Sequence, residues 1–253
     1  MAEHGKEIFS MRTKTIVLMA FLFLGKHSFS QAQKPFAVVE LFTSEGCNTC
    51  PPAEKLLSEI KADAEKNHKN IFCLEYHVDY WNKLGWKDPY SSFQYTLRQK
   101  NYVSVLNEES IYTPMMIVNG TESFTGSDEV KAKAAIASAL KSSPALELSI
   151  KVDSIASDTL FIHYQSSGVD KNFYIRIAVT ESHLVSEIGK GENSGKKLSH
   201  DGVVRVFFSS EVKKTSALKV PLKKFLPGKN CELVGFIQHK QTLKVLAATS
   251  TEF

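Results

Sequence analysis

Apolar residues dominate the run from Phe36 to Phe42, which reads as a buried strand. From Ala53 to Glu65 they recur instead at Leu56, Leu57, Ile60 and Ala64, one face of a helix. Ile71 to Tyr76 forms a second strand-like run, and a polar and aromatic insertion, His77 to Pro89, leads into a helix expected over Ser91 to Leu106. Pro114 to Val118 and Thr121 to Phe124 flank Asn119-Gly120, the strongest short hairpin signal between apolar runs. An Ala-rich helix from Asp128 to Leu140 completes a β-α-β-α-β-β-α order.

The period changes after Ser142-Ser143-Pro144. Seven runs of two-residue alternation follow, at Ala145 to Val152, Thr159 to Tyr164, Phe173 to Thr180, Val203 to Phe208, Ala217 to Val220, Cys231 to Gln238 and Leu243 to Ala248. Short strands at such spacing predict an antiparallel β-sandwich. The expected division is an α/β domain over residues 31–143 and an all-β domain over 144–253.

Residues 1–30 read as a cleavable signal peptide. Arg12 and Lys14 precede an apolar run from Ile16 to Leu24, and Ser28-Phe29-Ser30 offers small residues for cleavage. Met1 and Met11 both stand as possible starts, because Glu3 and Glu7 lie ahead of the basic region. The apolar run is about half of the ~20 residues a spanning helix needs, so no stable membrane anchor is expected after cleavage. Without the leader the net charge falls from +4 to +2. A near-neutral surface without clustered Arg argues against nucleic acid as a partner. A periplasmic or secreted location permits disulfides.

That context sharpens the meaning of Cys47-Asn48-Thr49-Cys50, which lies between the first strand and the first helix. Cysteines at i and i+3 on a first helical turn face the same way and can join without moving the backbone. Proline is tolerated only in a helix's first turn, so Pro51 and Pro52 place the expected helix start near Cys47. A sulfur at the positive end of the helix dipole favours thiolate, which makes a solvent-accessible Cys47 the attacking sulfur and Cys50 the resolving one. The expected activity is that of a thiol-disulfide oxidoreductase with a protein or small thiol/disulfide partner and no cofactor beyond the redox-active disulfide. Two other readings stand beside it: a structural disulfide in an interaction module, and a periplasmic copper carrier using Cys47, Cys50 and His77. A zinc site is disfavoured, because there is no second CxxC and no His-x3-5-His partner. Cys73 and Cys231 sit in apolar runs and read as small buried hydrophobes.

A strand ending in CxxC at a helix start, followed by a hairpin strand opening on proline, resembles the thioredoxin fold. The chain is similar, more specifically, to the exported thioredoxin-like proteins of the domain of unknown function 1223 family. That resemblance rests on Val39 to Pro52, His77 to Trp81, Gly85 to Pro89, Tyr112-Thr113-Pro114, Gly191 to Gly195 and His200-Asp201. It implies a thioredoxin-like domain and a cis proline at Pro114, which with Thr113 presents backbone to a bound peptide. It leaves activity and substrate open. Glu40 lies seven residues before Cys47, one more than the buried acid of thioredoxin, so strand alternation turns it to the other face unless a bulge intervenes. Glu40 is thus a candidate proton acceptor for Cys50 or a partnered structural acid. The Gly191 to Gly195 loop is a linker or a cap on the redox site; it lacks the Lys-Ser/Thr helix start of a nucleotide loop.

Overall fold

The computed structural model describes residues 33–222, 225 and 227–252. The expected signal peptide lies outside these residues. The first half holds β1 (Ala37–Thr43), α1 (Pro51–Lys66), β2 (Ile71–His77), α2 (Phe93–Leu106), β3 (Met115–Val118), β4 (Glu122–Thr125) and α3 (Glu129–Ala139). The second half holds β5 (Leu148–Ala156), β6 (Thr159–Ser166), β7 (Phe173–Glu181), β8 (Leu184–Glu187), β9 (Lys197–His200), β10 (Val203–Glu211), β11 (Thr215–Pro221), β12 (Cys231–His239) and β13 (Val245–Glu252). No helix among the described residues is long and apolar enough to cross a membrane.

Eight strands make one sheet, in the order β13-β12-β7-β10-β2-β1-β3-β4. β1 pairs in parallel with β2 from Ala37 opposite Ile71 to Thr43 opposite His77, and antiparallel with β3. The sheet does not stop at residue 143. Four strands of the second half continue it beyond β2, and the described residues form one compact unit. The remaining sheet, β11-β6-β5, packs Leu160, Ile162 and Tyr164 into a core shared with Ile177, Val179 and Leu233 of the large sheet. β8 and β9 pair as a two-stranded ribbon that the alternation does not predict, because each has four residues of mixed polarity.

Strand alternation divides the two faces of the central sheet. Ala37, Val39 and Leu41 face α1 and α3, meeting Ala53, Leu56, Leu57, Ala132 and Ile136. Val38 and Phe42 share the opposite core with Leu74, Tyr76 and the α2 residues Tyr95 and Tyr102. The junction between halves depends on Gly202. Its φ is +72°, its carbonyl accepts from Glu75 N at 2.8 Å, and a Cβ there would stand 2.7 Å from the Cys73 carbonyl oxygen. This close approach lets β10 pair beside β2, and it delivers His200, at the end of β9, to Glu75 on the α1 face of the sheet.

Candidate functional site

Helix α1 opens at Pro51, not at Cys47. Prolines occupy its first two positions and Cys50 is the N-cap, so Cys47 lies in the turn that precedes the helix. The physical reason is that proline suits the first helical position itself, where no N–H is needed, rather than a place deeper in the first turn. Cys47 and Cys50 are joined as a disulfide with their Cα atoms 5.4 Å apart. Cys73 and Cys231 are free and buried, and burial pushes the Cys73 thiol up to about 12.

The expected exposure of Cys47 is not found. Both sulfur residues have 0% exposure, although Asn48 and Thr49 between them are open to solvent. Two elements cover the pair. From the first half, the Thr113–Pro114 peptide bond is cis, and the Thr113 carbonyl oxygen stands 3.9 Å from Cys47 Sγ. Trp81 donates from Nε1 to Thr113 Oγ1 at 2.8 Å, holding the insertion against that segment. From the second half comes the turn between β8 and β9. Asn193, itself fully buried, donates through Nδ2 to the carbonyls of Glu45 (2.8 Å) and Cys47 (2.9 Å), and Asn48 N donates to Glu192 Oε2 at 3.2 Å. The Gly191 to Gly195 segment therefore caps the turn that bears Cys47, through backbone groups of Glu45, Cys47 and Asn48.

Glu40 is not beside Cys50. β1 carries no bulge in its pairing with β2, so Glu40 keeps the face of Val38 and Phe42, while α1 packs on the face of Val39 and Leu41. Its carboxylate is paired with Arg98, at 2.6 Å from Nε to Oε2 and 2.9 Å from Nη2 to Oε1, and it accepts from Tyr102 Oη. Arg98 in turn lies over Phe207 and Tyr102, with its guanidinium 4.7 Å and 5.0 Å from their ring centres. Glu40 is a structural acid.

The α1 face carries a different set of buried acids. Glu54, one turn beyond Cys50, accepts from Thr43 Oγ1 at 2.6 Å. Glu75 takes both imidazoles on one oxygen: His77 Nε2 lies 2.9 Å and His200 Nδ1 2.8 Å from its Oε1. His77 Nδ1 is 2.7 Å from Asp88 Oδ2, which also accepts from Glu45 N. Trp86 donates to Glu45 Oε2 at 2.6 Å. Burial, reinforced by the Glu75 charge, lifts Glu54 to about 7. Burial also opposes the Glu75 carboxylate, but the two histidines outweigh it and bring Glu75 down to about 2. Burial works against a proton on His200 as well, yet Glu75 and Glu45 carry it up to about 10.

His77 thus has both ring nitrogens facing carboxylates, and the structure gives it no contact with either sulfur. Among the described residues, the group of donors close enough to share a metal ion is Glu75, His77 and His200, a set without cysteine. His77 and Asp79 also hold the insertion in place: Thr96 Oγ1 donates to Asp79 Oδ1 at 2.6 Å, as His77 does to Asp88. Asp201, next to His200 in sequence, is engaged elsewhere: its Oδ1 accepts from His183 N at 2.9 Å.

A family model described as "Protein of unknown function (DUF1223)" matches residues 38–238. The chain belongs to the DUF1223 family. This DUF1223 chain is also similar to the crystal structure of protein AGR_C_4864 from Agrobacterium tumefaciens. The identity is 24%, the coverage is 88% of this chain and 99% of that one, and the TM-score is 0.67, a likeness of fold. A domain of the outer membrane lipoprotein Omp28 from Porphyromonas gingivalis matches 42% of the chain and 94% of its own, with 11% identity and a TM-score of 0.24, too slight to bear on the fold. No curated protein matches the DUF1223 chain.

Within this DUF1223 protein, pattern reading overlooks Glu45, Glu54, Glu75 and Asn193. A signal was present for two of them. Glu75 interrupts the apolar run Ile71 to Tyr76, and Glu54 follows two prolines on the turn after Cys50. Asn193 carries no local sign, because its partners are 146 and 148 residues away. The cap makes a measurable prediction. Asn193→Ala removes two buried hydrogen bonds worth roughly 1–3 kcal/mol together, so dithiothreitol should reduce the disulfide about 5–150 times faster than in the unaltered protein. An unchanged rate would show that the turn does not control access.

Proposed function

We propose that the protein is an exported thiol-disulfide oxidoreductase with a thioredoxin-like redox domain, acting on a protein or small thiol/disulfide partner. One observation carries the reading: Cys47 and Cys50 close into a disulfide ahead of α1, with the cis Thr113–Pro114 segment 3.9 Å from Cys47 Sγ. In the reducing direction, the Cys47 thiolate attacks a substrate disulfide and releases one substrate thiolate. Cys50, as thiolate, then displaces the second, leaving two substrate thiols and the Cys47–Cys50 disulfide; the oxidising direction is the reverse. Thr113 and Pro114 supply the backbone against which the substrate lies. Because both sulfurs are covered in the oxidised form, the Gly191 to Gly195 turn has to swing away before either can be attacked.

The copper-carrier reading requires His77 to leave Asp88 and Glu75 together, and no contact in the structure favours that. The structural-disulfide reading shares the same geometry and separates from catalysis in one experiment. The full chain is equilibrated in glutathione buffers of graded poise, and its free thiols are counted by alkylation and gel shift. Reversible conversion between two and zero reactive thiols at Cys47 and Cys50, with a definable potential, is the expected result. A pair that stays oxidised until the protein unfolds is a staple, and the enzyme reading is then abandoned.

A further inference from the structure

The groups converging on Glu75 bring three potential metal-ligating side chains to one point. Glu75, His77 and His200 are all fully buried, and their donor atoms lie within 4.8 Å of one another. Each imidazole has one nitrogen turned outward to a carboxylate and one turned inward. His77 Nδ1 is 2.7 Å from Asp88 Oδ2, and Asp88 is itself fixed by the N–H groups of Glu45 and Tyr90. His200 Nε2 faces Glu45 Oε1 at 3.4 Å. The inward nitrogens, His77 Nε2 and His200 Nδ1, then meet at the single oxygen Glu75 Oε1. The Asp88 carboxylate behind His77 sets the tautomer in which its inward nitrogen offers a lone pair, as is usual for metal-binding histidines. That lone pair and the anionic Glu75 oxygen repel unless a positive charge lies between them.

A second, independent observation points the same way. Glu75 Oε2, on the ligand carboxylate itself, is buried without a hydrogen-bond partner. Such atoms are uncommon in a folded protein, and an absent ion is one of their ordinary causes. The spacing also fits: donors at about 2.0–2.2 Å from one ion stand about 2.8–3.6 Å from each other at angles between square and tetrahedral, against 2.8 Å and 2.9 Å here. Glu54 Oε2, 3.9 Å from His200 Nδ1, is within reach of a fourth position after a small side-chain shift.

We infer that Glu75, His77 and His200 form a buried binding site for one divalent first-row transition cation, with Glu54 as the fourth ligand. The donor set is two imidazoles and carboxylate oxygens, which suits zinc, iron(II) or manganese(II) better than the soft cuprous ion. A closed site of this kind is structural. Its ion ties β2 to β9 beneath the turn that bears Cys47, and it enters as the chain folds, since no ligand is open to solvent. The inference does not rest on the redox reading.

The test uses the full chain, refolded with or without one equivalent of zinc, with the bound ion counted by native mass spectrometry and its affinity set by a chromophoric competitor. The expected result is one zinc per chain, unchanged in the Cys47→Ser/Cys50→Ser double variant. Glu75→Gln and His200→Gln should each weaken binding at least about 100-fold, and Asp88→Asn about 10–100-fold. Should those variants not fold, cobalt(II) in the unaltered chain decides: ligand-field bands without thiolate charge transfer support the site. Thiolate charge transfer, loss of the ion in the cysteine variant, or no ion at all in the refolded chain overturns it, the last leaving two doubly protonated histidines around Glu75.

Discussion

Cys47→Ser should abolish thiol-disulfide turnover, lowering it by at least about 10³-fold, because a hydroxyl in place of the attacking sulfur neither ionises near neutral pH nor forms the mixed disulfide. Cys50→Ser should instead stall half-way. Its Cys47 still attacks, but nothing resolves the product, so a covalent adduct with the substrate accumulates and shows as a mass increase that dithiothreitol removes. The order of the pair follows from placement. Cys47 lies in the turn beside Thr113 and under Asn193, where a displaced cap exposes it, whereas Cys50 is the N-cap of α1 with Ala53 N and Glu54 N on its carbonyl. The opposite pattern, with the adduct in Cys47→Ser and none in Cys50→Ser, would reverse the roles; no adduct in either variant would remove the exchange mechanism.

The largest stability effect is expected far from the sulfurs. Glu40→Ala leaves the Arg98 guanidinium charged and unpaired among Tyr76, Tyr102, Phe207 and Phe236. Breaking a buried pair by removing one partner costs about 3–5 kcal/mol, which for a chain of this size is roughly 6–20 °C in melting temperature. Replacing both residues, as Glu40→Leu with Arg98→Met, removes the stranded charge as well and should recover most of the loss. Thermal melts of the single and double variants, read beside the Cys47/Cys50 potential, separate structure from chemistry. Because Glu40 lies on the face of the sheet opposite α1, the potential should stay the same while the melting temperature falls. A shifted potential in a well-folded Glu40→Gln protein would return Glu40 to the redox site.

Local pattern carried the reading a long way in the first half. The order of three helices and four strands and the Asn119-Gly120 hairpin follow from features that act within a few residues, period and turn chemistry, whereas the cis Thr113–Pro114 bond was implied by the family resemblance. The helix start went wrong by one turn for a reason equally local, since paired prolines fit both a first turn and a first position. Glu40 shows where the limit falls. Its offset from Cys47 carried two meanings, and only the unbroken β1–β2 register decided between them.

The amino-acid order by itself determined the helices and the strands other than β8 and β9, that two cysteines stand close enough to join, and that the other two are packing residues. Tertiary structure alone decided that the sheet runs through both halves, that Asn193 closes over Cys47, and that His200 meets Glu75 across 125 residues of chain. The division has a physical cause. Periodicity and turn preferences are set by neighbours along the backbone, whereas a buried polar contact depends on which strand edges pair, and that is chosen by the whole core at once.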